Sequence, residues 1–183
     1  PELPEPRSPP AAWVATLKRV GPRRRAEVLA ALESAAGGSP AAEGDRPLDV
    51  SQLVALRRAG HEIGSHSVSH EILTDLDDAE LAREVEGAQQ ALRSWLGAEV
   101  AGFCYPNGDH DPRVAAAVAR ARHGYACTTS AGSFRAGDDG FRVPRVDVVA
   151  ERLLSATDGF SALAFRRELC GLYRRRAPAN GRS

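Results

Sequence analysis

Apolar residues recur every three or four positions in several stretches of the chain, the spacing of helices that bury one face. Capping residues and glycines mark the ends of these stretches, as Asp49 and Gly60 do for one of them. The pattern predicts helices over residues 11–20, 22–36, 49–60, 77–96, 111–122 and 158–176.

Shorter apolar runs lie between the later helices and are too short to be helices themselves. They predict extended strands at residues 61–65, 100–105, 125–129 and 141–149. From residue 49 onward, helices and strands therefore alternate, an order that is typical of a parallel α/β sheet or barrel. In such folds the chemistry lies in the loops that follow the carboxyl ends of the strands.

Composition narrows the classes of protein that fit this pattern. The 24 basic residues balance 24 acidic ones, which argues against a general nucleic-acid binder because such proteins carry a basic excess. No stretch approaches the roughly 18 apolar residues that a membrane-spanning helix needs. The three cysteines are widely spaced, which predicts small buried residues and not a disulfide scaffold or a paired-cysteine metal site.

The order of elements divides the 183 residues into three parts. Residues 1–47 form a proline-rich lead-in and a helical segment, residues 48–176 hold the α/β region, and residues 177–183 form a polar, flexible tail. The sequence begins at Pro1 and contains no Met, which predicts a processed chain or a piece of a longer one. It assigns neither a cellular compartment nor an oligomeric state.

Two histidines are the most informative candidates for chemistry. His66 and His70 are four residues apart and follow the predicted strand at 61–65. On a helix or in a tight loop, this spacing puts two imidazoles on one side, where both can reach one cation. Two histidines alone do not complete a catalytic metal site, which normally has a third protein ligand. Two ordinary surface histidines are the alternative.

The segment around these histidines resembles a known family. Residues 60–70, Gly-His-Glu-Ile-Gly-Ser-His-Ser-Val-Ser-His, followed by Leu73-Thr74, resemble the second motif of the polysaccharide deacetylase family, the NodB-type domains of carbohydrate esterase family 4. Residues 103–108 are similar to the family's third motif, and residues 141–146 to its fourth segment. The resemblance covers about residues 48–149, with the motifs in the family's order.

The resemblance implies a fold, an activity and a cofactor. The fold would be an incomplete, distorted parallel (β/α) barrel, and the activity a hydrolysis that removes acetyl groups from N-acetylated, and in some members O-acetylated, sugars. A carbohydrate would be the substrate. A divalent metal would be held by one Asp together with His66 and His70, with zinc as the first choice and cobalt, manganese or nickel as alternatives.

Further roles follow from the later motifs. The backbone N–H of Asn107, or of its neighbour Gly108, would hold the oxyanion. Separately from the motifs, Arg145 at the end of an extended run could pair with the base carboxylate and hold its orientation, with an ordinary surface arginine as the alternative. Substrate contacts are expected from Tyr105 and Pro106 of the third motif, and from His110, which lies two positions after it.

The sequence departs from the family in two places. The Asp-Asp pair that supplies the base and the third metal ligand has no counterpart, because only Asp45 and Asp49 precede His66 and Asp49 is better explained as a helix cap. The late catalytic histidine is absent, and His123 is expected at the surface end of a helix. We expect a chain truncated before the first motif, with weak metal binding and low turnover.

Two other functions stay open. One is a non-catalytic carbohydrate-binding or accessory module with a relic metal site, which would bind saccharides without His66 or His70. The other is an unrelated metal hydrolase whose third ligand is Asp109 or Asp111, which would bind zinc tightly on its own.

Overall fold

The computed structural model describes residues 3–5, 7–37, 46–154 and 159–170 of the chain. The chain divides into two compact units, Pro1–Asp49 and Val50–Ser183. The predicted tail at 177–183 and the last part of the predicted final helix lie outside the described residues. None of the helices in the described part of the chain has the length and apolar character needed to cross a bilayer.

The first unit contains two short helices, α1 (Pro10–Leu17) and α2 (Pro22–Ala35). Arg25 of α2 connects them, because its guanidinium donates hydrogen bonds to the carbonyls of Leu17 and Val20, at 2.9 and 3.0 Å. The proline-rich lead-in therefore precedes a small helical hairpin, close to the predicted bounds.

The second unit alternates helices and strands. Its helices are α3 (Val50–Arg58), α4 (Asp78–Leu96), α5 (Pro112–Arg120) and α6 (Ala162–Leu169), and its strands are β1 (Gly102–Cys104), β2 (Tyr125–Ala131) and β3 (Val143–Arg145). The strands are parallel and lie in the order β1-β2-β3. The predicted α/β class with a parallel sheet is confirmed.

Local capping explains why the two central helices begin and end where they do. Asp77 accepts a hydrogen bond from the Glu80 amide while the Glu80 side chain accepts one from the Asp77 amide, a capping box at the start of α4. Gly97 ends α4 in the left-handed conformation, with φ of 71°. The Asp111 side chain accepts a hydrogen bond from the Val114 amide and so caps α5.

The predicted strand at 61–65 is reduced to one residue. The Ser65 amide donates to the Gly102 carbonyl, and the Cys104 amide donates to the Ser65 carbonyl, both at 2.9 Å. These two bonds make Ser65 a single-residue bridge, parallel to β1 at Phe103. Ser65 therefore occupies the sheet edge next to β1, and the loop that follows it starts at the carboxyl end of the sheet.

One face of the sheet packs against α4 and α5 and forms the core. Phe103 and Ala126 are in register on β1 and β2 and are both fully buried. The core cluster also includes residues from both helices and the adjoining turns, namely Leu73, Leu81, Val85, Tyr105, Val114, Ala117, Val118 and Ala121. The sheet is thus fixed from the helical side, below the loops that carry the candidate chemistry.

The opposite face carries Cys104 and Cys127, which are in register on β1 and β2. Both are only half-buried, and Cys170 at the end of α6 is exposed. The prediction of three buried cysteines was therefore wrong, because side chains alternate along a strand and the register placed Phe103 and Ala126, not the cysteines, in the core.

Candidate metal centre

The two candidate metal ligands lie in the loop that follows Ser65. The ring centroids of His66 and His70 are 4.7 Å apart, and the ring planes are inclined by 82°. The Nδ1 atom of His66 lies 2.7 Å from the Cys104 carbonyl. A carbonyl only accepts hydrogen bonds, so this contact requires the proton on Nδ1 and leaves the Nε2 lone pair for a metal. Both rings are exposed, as an open metal site requires.

The loop holds this pair together in a conformation that costs free energy. Ser67 and His70 both have left-handed backbone angles, with φ of 66° and 60°. For residues that carry a Cβ this costs about 1–2 kcal/mol each. The His70 amide donates to the Ser67 hydroxyl at 2.9 Å, which offsets part of that cost.

Glu84 of α4 holds the middle of the same loop. Its Oε2 atom accepts hydrogen bonds from the amides of Val68 and Ser69, at 3.0 and 2.9 Å, and its Oε1 atom accepts one from the Ser69 hydroxyl. Partial burial alone would raise the pKa of Glu84, but these bonds and one from Ser67 outweigh it and lower the pKa below its ordinary value. Glu84 was not among the residues singled out from the sequence.

The second loop of the site follows β1 and contains Pro106, Asn107 and Gly108. Asn107 and Gly108 have left-handed angles, with φ of 55° and 86°. The Gly108 amide donates to the Tyr105 carbonyl at 2.8 Å, so this amide is already engaged in the turn. The Thr129 hydroxyl donates to the Asn107 carbonyl at 3.2 Å. The oxyanion role therefore stays a prediction for Asn107 and loses support for Gly108.

Tyr105 and Pro106 lie beneath this turn. Tyr105 is 1% exposed and Pro106 is fully buried, so neither side chain is accessible to a substrate in this conformation. The Tyr105 hydroxyl donates to the Phe141 carbonyl at 2.9 Å, and burial, followed by nearby Asp139, raises the Tyr105 pKa to about 12. This corrects the expectation of direct substrate contact by these two side chains, whose position is that of a support.

His110 stacks on Tyr105, with ring centroids 4.8 Å apart and ring planes inclined by 16°. Its Nδ1 atom lies 2.9 Å from the Gly108 carbonyl. His110 also lines a cavity of about 230 Å³ together with Asp111, Pro112, Ala115, Asp139 and Arg142. Its predicted role in substrate binding remains a prediction, now with a defined cavity.

Arg145 lies at the end of β3. Its Nε atom donates to the Thr128 carbonyl on β2, at 2.7 Å. This bond fixes the side chain at the carboxyl end of the sheet, the end that carries both loops. Its predicted role, the orientation of a catalytic carboxylate, stays a prediction.

The third metal ligand is missing from the described residues. Within residues 3–5, 7–37, 46–154 and 159–170, no group of three His, Cys, Asp or Glu side chains is placed to hold a metal ion. Asp111 is occupied as the cap of α5. Imidazole nitrogens suit a divalent metal, so His66 and His70 fit such an ion as two of its ligands.

His123 was expected at the surface, and that expectation was wrong. It is 4% exposed, its Nδ1 atom lies 3.0 Å from the Val100 carbonyl, and its ring contacts that of Phe103. Burial lowers the pKa of His123, which favours the neutral form. Its position under β1 is structural and separate from the candidate metal ligands.

Comparison with known proteins identifies the family. Residues 37–126, which include both histidines and the turn after β1, match the family model for polysaccharide deacetylase. These residues belong to the polysaccharide deacetylase family. No curated protein sequence matches the chain.

Solved structures, two of them of deacetylases, share the fold. The Streptococcus pyogenes deacetylase PplD, in complex with acetate, aligns with a TM-score of 0.60 and 16% identity over 69% of this chain and 53% of its own. A polysaccharide deacetylase from Bacillus cereus aligns with a TM-score of 0.57 and 19% identity, over 69% of this chain and 38% of its own. IcaB from Ammonifex degensii aligns with a TM-score of 0.51 and 20% identity, over 60% of this chain and 52% of its own.

The aligned structures show the architecture of the chain and the share of their own length that it spans. The architecture is that of the deacetylase family, an incomplete parallel (β/α) barrel, as the motifs predicted. The chain spans about half the length of the first of these structures and less of the second.

Proposed function

We propose that this deacetylase domain takes part in the metal-dependent removal of acetyl groups from N-acetylated sugars or polysaccharides, with O-acetylated sugars as a second substrate class. The observation that carries the proposal is the pair formed by His66 and His70. The bond from His66 Nδ1 to the Cys104 carbonyl leaves Nε2 for a metal, and the His70 ring lies beside it. Family membership supplies the reaction class.

His66 and His70 would hold a divalent cation, zinc first and cobalt, manganese or nickel as alternatives. Such a cation supplies polarisation of the acetyl carbonyl and a lower pKa for a bound water. The Asn107 amide is proposed to donate to the developing oxyanion, and Arg145 to orient the base. His110 would contact the sugar from the cavity beside the turn.

By resemblance, the third ligand and the general base are both Asp side chains. The described residues place no such group beside the histidines. We therefore propose that the chain alone binds metal weakly, and that loss of the base costs roughly 10²–10⁴ in rate. Vigorous deacetylation of N-acetylglucosamine oligomers by this chain would contradict that impairment while supporting the reaction class.

The metal affinity of histidine variants tests the proposal. His66→Ala and His70→Ala should each lower zinc affinity at least about tenfold, because each removes one of two ligands. His61→Ala is the matched control, since His61 is an exposed histidine five positions before the pair. Titration calorimetry with zinc gives the affinities. Equal affinity in all four proteins would refute the proposal.

The incomplete ligand set favours one second candidate, an accessory module that binds carbohydrate with a relic metal site. It predicts binding of N-acetylglucosamine oligomers that His66→Ala and His70→Ala leave unchanged. A hydrolase that uses Asp111 is disfavoured because that carboxylate already caps α5.

A further inference from the structure

The loop that carries His66 and His70 contains no glycine, although two of its residues adopt left-handed backbone angles. Separate contacts hold the two ends of the loop. His66 is held by the Cys104 carbonyl, and the His70 amide by the Ser67 hydroxyl. The amides of Val68 and Ser69, between the two histidines, find their acceptor outside the loop, on α4.

That acceptor is the Glu84 carboxylate, and both of its oxygens are used. Oε2 accepts from two successive amides, at 3.0 and 2.9 Å, and Oε1 accepts from the Ser69 hydroxyl. Bonds in which the acceptor is ionised are roughly twice as strong as those between neutral groups. A single side chain therefore holds the segment that sets the distance between the two imidazoles.

The loop also lies close to α4 at Gly87, about one helical turn after Glu84. A Cβ on Gly87 would lie 3.6 Å from the Val68 side chain, so the loop approaches the helix closely at this point. The helix itself is fixed, since Leu81, Val85 and Ala88 are buried in the core. Glu84 thus connects the loop to one of the most firmly packed helices of the unit.

We infer that Glu84 is a positioning residue, which holds the loop between His66 and His70 in the geometry that lets both imidazoles bind one metal ion. The inference rests on the proposed function, because it states that Glu84 strengthens metal binding at that same site. Glu84 does not touch the metal or the substrate in this role. It acts through the amides of Val68 and Ser69.

Glu84→Gln tests the inference, because it keeps the size of the side chain and removes the negative charge that strengthens its hydrogen bonds to the Val68 and Ser69 amides. Glu86→Gln is the matched control, as Glu86 is exposed and lies two positions further along the same helix. The probe is Co²⁺, whose d–d absorption spectrum reports the coordination geometry. We expect Glu84→Gln to weaken Co²⁺ binding about 10–100-fold and to change that spectrum, while Glu86→Gln leaves both as in the wild type.

A second measurement does not depend on metal. Amide hydrogen exchange of Val68 and Ser69, followed by NMR without metal, should accelerate at least about tenfold in Glu84→Gln and not in Glu86→Gln. If the wild type bound no Co²⁺, the proposed function and the positioning role would fail, while the exchange data would still show whether Glu84 holds the loop. A folded Glu84→Gln protein with unchanged Co²⁺ affinity and spectrum would overturn the inference.

Ser69→Ala keeps the test decisive if Glu84→Gln does not fold. Ser69 is exposed, and the substitution removes only the hydroxyl that donates to Glu84. A several-fold loss of Co²⁺ affinity in Ser69→Ala is then expected. Unchanged affinity in that variant would overturn the inference.

Discussion

Two loops follow neighbouring positions at the carboxyl end of the sheet, and they are held in different ways. The histidine loop, which we define as residues 66–70, is exposed and depends on a carboxylate supplied by α4. The turn after β1, residues 106–108, closes on its own backbone and lies over Thr129 of β2. Both contain left-handed residues that carry a Cβ. The histidine loop therefore depends on an ionised carboxylate, whereas the turn after β1 depends on steric fit against Thr129.

Substitution of Gly108 tests the steric fit of the turn after β1. A Cβ added to Gly108 would overlap the Thr129 side chain, and its φ is 86°. Gly108→Ala should therefore destabilise the protein by about 3 kcal/mol, from the left-handed angle and the overlap together. Urea-induced unfolding followed by circular dichroism gives the free energy of unfolding.

Gly137→Ala is the control for that measurement. Gly137 has φ of 94° but no atom within 4 Å of an added Cβ. Its substitution should cost only about 1 kcal/mol, the price of the backbone angle. Equal losses for the two variants would mean that contact with Thr129 contributes nothing to the turn.

Acid should open the charged loop selectively. The pKa of Glu84 is lowered in the folded protein, because hydrogen bonds outweigh partial burial. Its contribution is therefore complete above its ordinary pKa of 4.5 and is lost as the pH falls through the folded value. Exchange of the Val68 and Ser69 amides, corrected for the intrinsic pH dependence, should accelerate about tenfold or more relative to the Gly108 amide.

The same experiment on Glu84→Gln separates this cause from general acid unfolding. The variant has no carboxylate to protonate at that position, so the selective opening should disappear. Parallel acceleration of all three amides in the wild type would show that the whole unit opens at once.

Glycine substitutions in both loops should have smaller effects. Asn107→Gly relieves a left-handed angle and should change stability by less than about 0.5 kcal/mol, whereas Asn107→Ala should cost about 1 kcal/mol. Ser67→Gly relieves a similar angle but removes the hydroxyl that accepts from the His70 amide. It should therefore destabilise the histidine loop, as measured by exchange of that amide, and an unaffected loop would contradict the role of Ser67.

The features that depend on neighbouring residues could be read from the sequence. The helices predicted at 77–96 and 111–122 form at Asp78–Leu96 and Pro112–Arg120, because the signals that begin and end them lie within a few residues of each helix end. The motif around His66 and His70 predicted the family for the same reason, since the motif is continuous in the chain.

Features that depend on residues distant in the chain could not be read from the sequence. The segment predicted as a strand at 61–65 bridges the sheet at Ser65, and its partner Phe103 lies nearly 40 residues away in the chain. His123 is buried because it meets Phe103 and Val100, which periodicity around residue 123 does not reveal. Glu84 was missed because its contacts lie 15 and 16 residues before it, although an acidic residue beside the apolar stripe of α4 was a signal.

One helix serves two neighbours at once. Five positions beyond Glu84, the Gln89 side chain is buried and pairs with both backbone groups of Val100, at 3.1 and 3.2 Å, just before β1 begins. A protein engineer who wished to transplant the histidine pair to another scaffold would therefore need more than a five-residue graft. The loop, α4 and the start of β1 would have to move together, because Glu84 joins the loop to the helix and Gln89 joins the helix to the segment before β1.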